Sequence, residues 1–289
     1  MKLSPAQIAA FEEEGYLFLP NVFSAEEMAL LTGEMPGMFA QERPEVIREK
    51  DSKSPRSAFY VQTWNPVYEM VARHPRLVQP GIQLLGYDKL YMHQFKINAK
   101  AAFDGAVWQW HQDYATWYND DDMPTPRAMN IALFLAEANE FNGPLMFIPR
   151  SHRQGRLGAT HDVTTTSYPL WTADNETITR LVNEGGIVAP KGPPGSMLLF
   201  HGNLVHASGS NLTPWPRWIL YLSLNRCDNA IRRFKRPTWI ANRDFTPIEL
   251  LPDDCLLGHY PVDLPWQGGM PASALHTSDV PFSETRQAA

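Results

Sequence analysis

Apolar positions recur along this chain at two different periods, and the change between them divides it. Residues 1–88 follow a helical period. Ser4 is placed to cap a helix, Pro5 suits the first helical position, and Gln7 completes a capping box ahead of Ile8 and Phe11, with Gly15 as the stop. The stretch "YLFLP" then reads as a short strand. Ser24 and Glu27 repeat the capping pattern and open a second helix through Leu30 and Leu31, and "VYEMVARHPRLVQPGIQLLG" reads as helical turns broken at Pro75 and Pro80. From Lys89 onward the period becomes two. "KLYMHQFKINAK" sets Met92, Gln94, Lys96 and Asn98 on one face against Tyr91, His93, Phe95 and Ile97 on the other. Further strands are predicted at "AVWQWHQD", "AMNIALFLAE", "GPLMFIP", "SMLLFHG" and "WILYLSLNRC", between turn clusters such as "EFNGP" and "KGPPGS". A helical start followed by many short strands predicts a mainly β protein with flanking helices, a double-sheet jelly roll.

Composition leaves that picture intact and narrows the partners. Of 289 residues, 44% are hydrophobic and 19% charged, enough for a sizeable core, and no Ser/Gly-rich linker interrupts the middle. One domain over residues 1–289 is expected, with a helical N-terminal region at 1–88 and a flexible tail at 266–289, where core-forming residues are few. A net charge of -6 argues against nucleic acid, which demands a cationic face. The basic run "RCDNAIRRFKRP" is local, a solvated rim or an internal anion clamp. Two cysteines, no secretion-type apolar start and no membrane-length apolar run predict a cytoplasmic protein without a membrane partner.

The chemistry concentrates in "VWQWHQDYATWYNDDDMP", where His111 and Asp113 stand two residues apart. Among nine histidines the best third member is His206, in "FHGNLVHASGSNLTPWPRW", which closes a predicted strand far downstream. Two neutral imidazoles and one carboxylate on one face of an octahedral ion leave the opposite face for other ligands, as in non-haem Fe(II) oxygenases. An H-x-D pair alone is a weak signal. Arg217 strengthens it, because a guanidinium at the start of the last apolar strand needs an anion, and its planar fork matches the distal carboxylate of 2-oxoglutarate.

The stretch from "FDGAVWQWHQDYATW" to "GPLMFIPRSH", together with "HASGSNLTPWPR", resembles the phytanoyl-CoA dioxygenase family of Fe(II)/2-oxoglutarate oxygenases, and within it the ectoine hydroxylase branch. "GYLFLPNVFS", "RSAFYV", "HPRL" and "HQFKINAK" resemble segments of that branch in the same order, so the likeness covers most of residues 5–250. It implies a double-stranded β-helix (jelly roll, cupin-like) and a reaction that consumes 2-oxoglutarate and O2, releases succinate and CO2, and hydroxylates a small polar, amino-acid-like or zwitterionic molecule such as ectoine. Residue by residue it gives iron to His111, Asp113 and His206, and 2-oxoglutarate to Arg217, Ser208 and Lys100; Asn98, on the same strand face as Gln94, is expected to join the cosubstrate residues. It gives the substrate to Gln94 and Trp117. Where the branch reads His-Ser-Asp-Phe-Glu-Thr-Trp this chain has "HQDYATW", so Gln112, Tyr114 and Ala115 depart from the pattern. Substrate choice is expected to reside in that short segment after His111.

Each assignment has a plainer competitor. Taken without the resemblance, Gln94, Lys96, Asn98 and Lys100 read as the wet face of an edge strand, and Trp117 as a core aromatic. His152 and His201 read as structural hydrogen-bonding residues. The acidic run "NDDDMP" reads as a solvated loop rim that could also attract a cationic substrate. The alternatives to a hydroxylase are a halogenase on the same scaffold, against which Asp113 speaks, and a metal-binding jelly roll without oxygenase activity, in which Arg217 and Lys100 would have no purpose. A homodimer is the assembly kept in view.

Overall fold

The structure is a computed structural model that describes residues 1–50 and 52–258; the tail expected at 266–289 lies outside the described residues. Its helices begin where the sequence caps them. Helix α1 (Pro5–Glu14) starts with Ser4 Oγ accepting from Gln7 N while the Gln7 side chain accepts from Ser4 N, and it ends at Gly15 with φ 82°. Helix α2 (Ala25–Phe39) repeats the device with Ser24 and Glu27. Asn65 caps α3 (Pro66–Ala72). His74 caps α4 (Pro75–Leu85), with Pro75 at the first position. Pro80 does not break α4 as the sequence suggested. It lies buried within the helix, where packing of Leu77, Val78 and Pro80 offsets the missing N–H.

Two antiparallel sheets follow. The larger runs in the order β1 (Tyr16–Leu19), β10 (Met197–His201), β6 (Ala128–Phe134), β12 (Arg217–Arg226), β4 (Leu90–Lys100), β3 (Pro55–Phe59), β2 (Val46–Arg48). The smaller runs β7 (Leu145–Phe147), β11 (His206–Ser208), β5 (Trp108–His111), β9 (Leu170–Thr172), β8 (Thr160–Asp162). The outer face of the large sheet, with Phe95, Ile97, Leu220, Leu222 and Leu224, forms the main core under the N-terminal helices. Its inner face meets the small sheet through Phe134, Phe147, Phe200 and Ile219. Two facing antiparallel sheets under flanking helices are the expected double-sheet jelly roll. The helical N-terminal region also supplies β1, β2 and β3 to the large sheet.

Strand β4 rules out one competing reading and corrects one expectation. It is no edge strand, since β12 and β3 flank it. Its alternation also slips once: Ser223 pairs with Gln94 but Leu224 with Met92, so His93 is an extra, bulged residue. The bulge turns Met92 to the helix-side core with Leu90, and sends Tyr91 and His93 inward, where the His93 ring meets Trp117 edge-on at 5.3 Å. Beyond it Gln94, Lys96 and Asn98 face inward as the period demands. Among the described residues no helix is long and apolar enough to cross a membrane.

Candidate metal and cosubstrate site

His111 ends β5 and His206 opens β11, and the two are directly paired across the antiparallel ladder, which brings their rings to 4.1 Å between centroids. His206 thus begins a strand of its own; it does not close the "SMLLFHG" strand, because Gly202 and Asn203 turn the chain between them. Asp113 is the first residue of helix α5 (Asp113–Asp121). Its Oδ1 lies 3.6 Å from His111 Nε2 and its Oδ2 3.6 Å from His206 Nε2. One donor atom from each of the three residues lies within 4.8 Å of the others, a group that could hold a metal ion.

The protonation pattern suits that use. Each imidazole is fixed by its other nitrogen, His111 Nδ1 donating to Gln109 O at 2.6 Å and His206 Nδ1 to Leu204 O at 2.9 Å, which leaves each Nε2 lone pair facing Asp113. Burial and the facing His111 ring pull His206 down to about 4, so it stays neutral. Burial by itself would raise the Asp113 carboxyl, but His206 and His111 hold it well below the usual carboxylate range. Two residues not singled out in the sequence steady Asp113: Asn130 Nδ2 donates to its Oδ2 at 2.6 Å, and Ser223 Oγ donates to Asn130 Oδ1 at 2.6 Å. Both face inward from β6 and β12, and the polar positions 217, 221, 223 and 225 of "RWILYLSLNR" are the signal that marked that face.

The triad lines a cavity enclosing about 560 Å³ of empty space, some of it open to solvent. Arg217, at the start of β12, reaches the same cavity with 1% of its surface exposed. Its Nε and Nη1 have no hydrogen-bond partner among the described residues, and burial lowers its affinity for the proton against the effect of the Tyr221 hydroxyl. Buried donors of this kind are costly unless an anion meets them, so the residues present fit 2-oxoglutarate as they fit the ion. Ser208 and Asn98 line the cavity, Asn98 Oδ1 accepting from Ser57 Oγ at 2.8 Å. Gln94 lines it too, with Nε2 donating to Ile240 O at 2.7 Å, and Trp117 closes one side. Lys100 is not among the lining residues. Its ammonium is engaged by Ala106 O and Ser208 Oγ, each at 3.0 Å, and by Gly209 O, so it bears on the cavity through Ser208.

The three departures from the branch pattern face away from the cavity. Helix α5 starts at Asp113, and a period of 3.6 puts 113, 116 and 117 on the cavity side and 114 and 115 elsewhere. Gln112 bonds to Asn203 O at 2.7 Å and Gly155 O at 2.8 Å; the Tyr114 hydroxyl donates to Met123 O; Ala115 is buried. The expectation that this segment shapes the substrate surface is therefore corrected for these residues, while Thr116 and Trp117 do line it. The acidic run is no solvated rim either. Asp120 and Asp121 are buried at the end of α5, and Asp121 forms a two-pronged pair with Arg236 of the basic run, 2.8 Å from its Nε. Arg236 reaches the cavity wall, so this end of the run is an internal clamp. His152 and His201 are structural as expected, His201 Nδ1 accepting from Asn203 N at 2.9 Å.

A jelly roll with a His–Asp–His group in one cavity with a buried arginine, two of whose donors lack a partner among the described residues, has the outline of an iron oxygenase. Residues 11–219 match the model of the phytanoyl-CoA dioxygenase family, and the chain belongs to that family of Fe(II)- and 2-oxoglutarate-dependent dioxygenases, which use O2. The ectoine dioxygenase of Bordetella bronchiseptica is 36% identical over 83% of each chain. The L-proline trans-4-hydroxylase of Streptomyces griseoviridis is 33% identical, over 82% of this chain and 92% of that one. Among solved structures, EctD from S. alaskensis with 2-oxoglutarate and 5-hydroxyectoine superposes with a TM-score of 0.77 at 34% identity, covering 86% of this chain and 87% of that one. The epimerase SnoN, at 19% identity and a TM-score of 0.60, shares the fold.

Proposed function

We propose that this protein hydroxylates a C–H bond of a small, amino-acid-like zwitterion, ectoine or a related compound, with His111, Asp113 and His206 as the iron ligands and Arg217 as the anchor of the 2-oxoglutarate distal carboxylate. The observation that carries this reading is the meeting, in one cavity, of the histidine–aspartate group with a buried arginine whose Nε and Nη1 have no partner among the described residues. Both relatives compared above act, by name, on compounds of this type. Iron with 2-oxoglutarate and O2 supplies the oxidising power for C–H hydroxylation, with succinate and CO2 as coproducts. The chain's own residues place the reactants. Asn130 and Ser223 fix Asp113, the backbone carbonyls of Gln109 and Leu204 fix the imidazoles, and Gln94 and Trp117 orient the substrate beside them. The two cysteines, both free, support a reducing, cytoplasmic setting.

The test supplies Fe(II), 2-oxoglutarate and O2 with ectoine, L-proline and a panel of related zwitterions, and follows succinate and substrate mass. Gain of one oxygen by a panel member, dependent on 2-oxoglutarate, is expected. Halide incorporation would identify a halogenase, and metal binding with no succinate under any condition would leave a binding protein.

A further inference from the structure

Lys96 has no task in the function just proposed. It stands on β4 between Gln94 and Asn98, half-buried, with its exposed portion on the cavity. Its ammonium lies over two rings, 5.5 Å from the centroid of Phe59 and 5.7 Å from that of Tyr221. Among the described residues it makes no hydrogen bond and no ion pair within 4.0 Å, and the negative charge it feels is that of Asp113, already faced by two imidazoles. The neighbouring cations are all engaged. Arg236 is held by Asp121, Arg56 by Glu49 at 3.0 Å, and Lys100 by its three oxygens.

A charge balance follows for the loaded site. The ion's two positive charges and the one on Arg217 are matched by Asp113 and the two carboxylates of 2-oxoglutarate. Lys96 is left over. A half-buried ammonium without a counterion favours an incoming anion, and the only charged component still to enter is the primary substrate. Lys96 and Arg217 address different anions: Arg217 pairs with Lys100 in the ladder, four residues from Lys96, which is about 13 Å along a strand.

We propose that Lys96 is the specificity-determining residue for the substrate carboxylate, so that the class accepted is small carboxylic acids whose neutral or cationic end lies against the aromatic side of the cavity at Trp117 and Tyr168. This rests on the hydroxylase reading of the site and adds to it the feature of the substrate that is recognised.

The experiment measures binding without turnover. The protein is loaded anaerobically with Fe(II) and 2-oxoglutarate and titrated calorimetrically with matched pairs, L-proline against L-prolinamide and ectoine against its carboxamide, in wild type, Lys96→Met and Lys96→Arg. The wild type should prefer the acid of a pair by roughly 10- to 100-fold, the value of one charge-assisted hydrogen bond. Lys96→Met should reduce that preference to within about threefold while 2-oxoglutarate affinity moves by less, and Lys96→Arg should restore most of it. Retention of the acid preference in Lys96→Met, a loss that falls on 2-oxoglutarate instead, or failure of both acids to bind loaded wild type overturns the proposal. Acid binding without oxygen insertion on admitting air would sink the hydroxylase reading and leave the assignment of Lys96 standing.

Discussion

Asn130 offers the sharpest test of how Asp113 is held. Its Nδ2 donates to Asp113 Oδ2 at 2.6 Å and its Oδ1 accepts from Ser223 at 2.6 Å, with both residues buried. Asn130→Ala removes a hydrogen bond to a charged acceptor, worth about 1.5 to 3 kcal/mol, and so should weaken divalent metal binding by roughly 10- to 150-fold. That range overlaps the 10- to 100-fold typical of groups that orient a metal ligand. Ser223→Ala removes a neutral bond of about 0.5 to 1.5 kcal/mol, a loss of roughly 2- to 12-fold. Since Ser223 acts through the Asn130 amide, the double variant should bind no more than about twofold worse than Asn130→Ala alone. Titration with Mn(II), reading free ion by electron paramagnetic resonance, measures all three against an Asp113→Ala control. Wild-type affinity in Asn130→Ala, or fully additive losses in the double variant, would refute the argument that this pair positions the carboxylate.

Three other outcomes are expected. Arg217→Ala should leave Mn(II) affinity near that of the wild type and weaken 2-oxoglutarate binding by roughly 10²- to 10⁴-fold, the loss of two charge-assisted bonds, read by calorimetry on the metal-loaded protein. Ala115→Glu should not move substrate ranking towards ectoine; it buries an unpaired carboxylate at about 3 kcal/mol, and calorimetric melting should show a midpoint lower by roughly 6 to 12 °C. His74 caps α4 through Nδ1, and burial with the nearby Arg76 charge pulls it down to about 4. Because the folded value lies below the ordinary one, its contribution is present above about pH 6.5 and is lost as pH falls towards 4, on the order of 3 kcal/mol, a slope that denaturant titration should find flattened in His74→Asn.

How far the sequence foretold this arrangement depended on whether local rules decide. Capping boxes at Ser4 and Ser24 depend on residues three apart, and both helices start as read. His111, Asp113 and His206 were legible as residue types in a plausible order, and the ladder does bring them together. Short elements were harder. Strands β2, β8 and β9 have three residues each, too few for a period to emerge. The acidic end of α5 misled because three consecutive aspartates look solvated, and only the return of the chain 115 residues later brings Arg236 to Asp121. Asn130 was hidden for the same reason, since its partners come from α5 and β12.

The bulge at His93 acts as a phase shift in the strand that carries Gln94, Lys96 and Asn98. Side chains alternate with a period of two, so removing that surplus residue, or adding another beside it, would turn these three out of the cavity and under the apolar helices or else displace their neighbours in their place. Substitutions can retune this surface one side chain at a time. A change of length cannot, because it moves the whole row at once. The routes by which this chain can acquire a new substrate therefore run through replacement within a fixed frame, with the residue count between Leu90 and Lys100 as the frame itself.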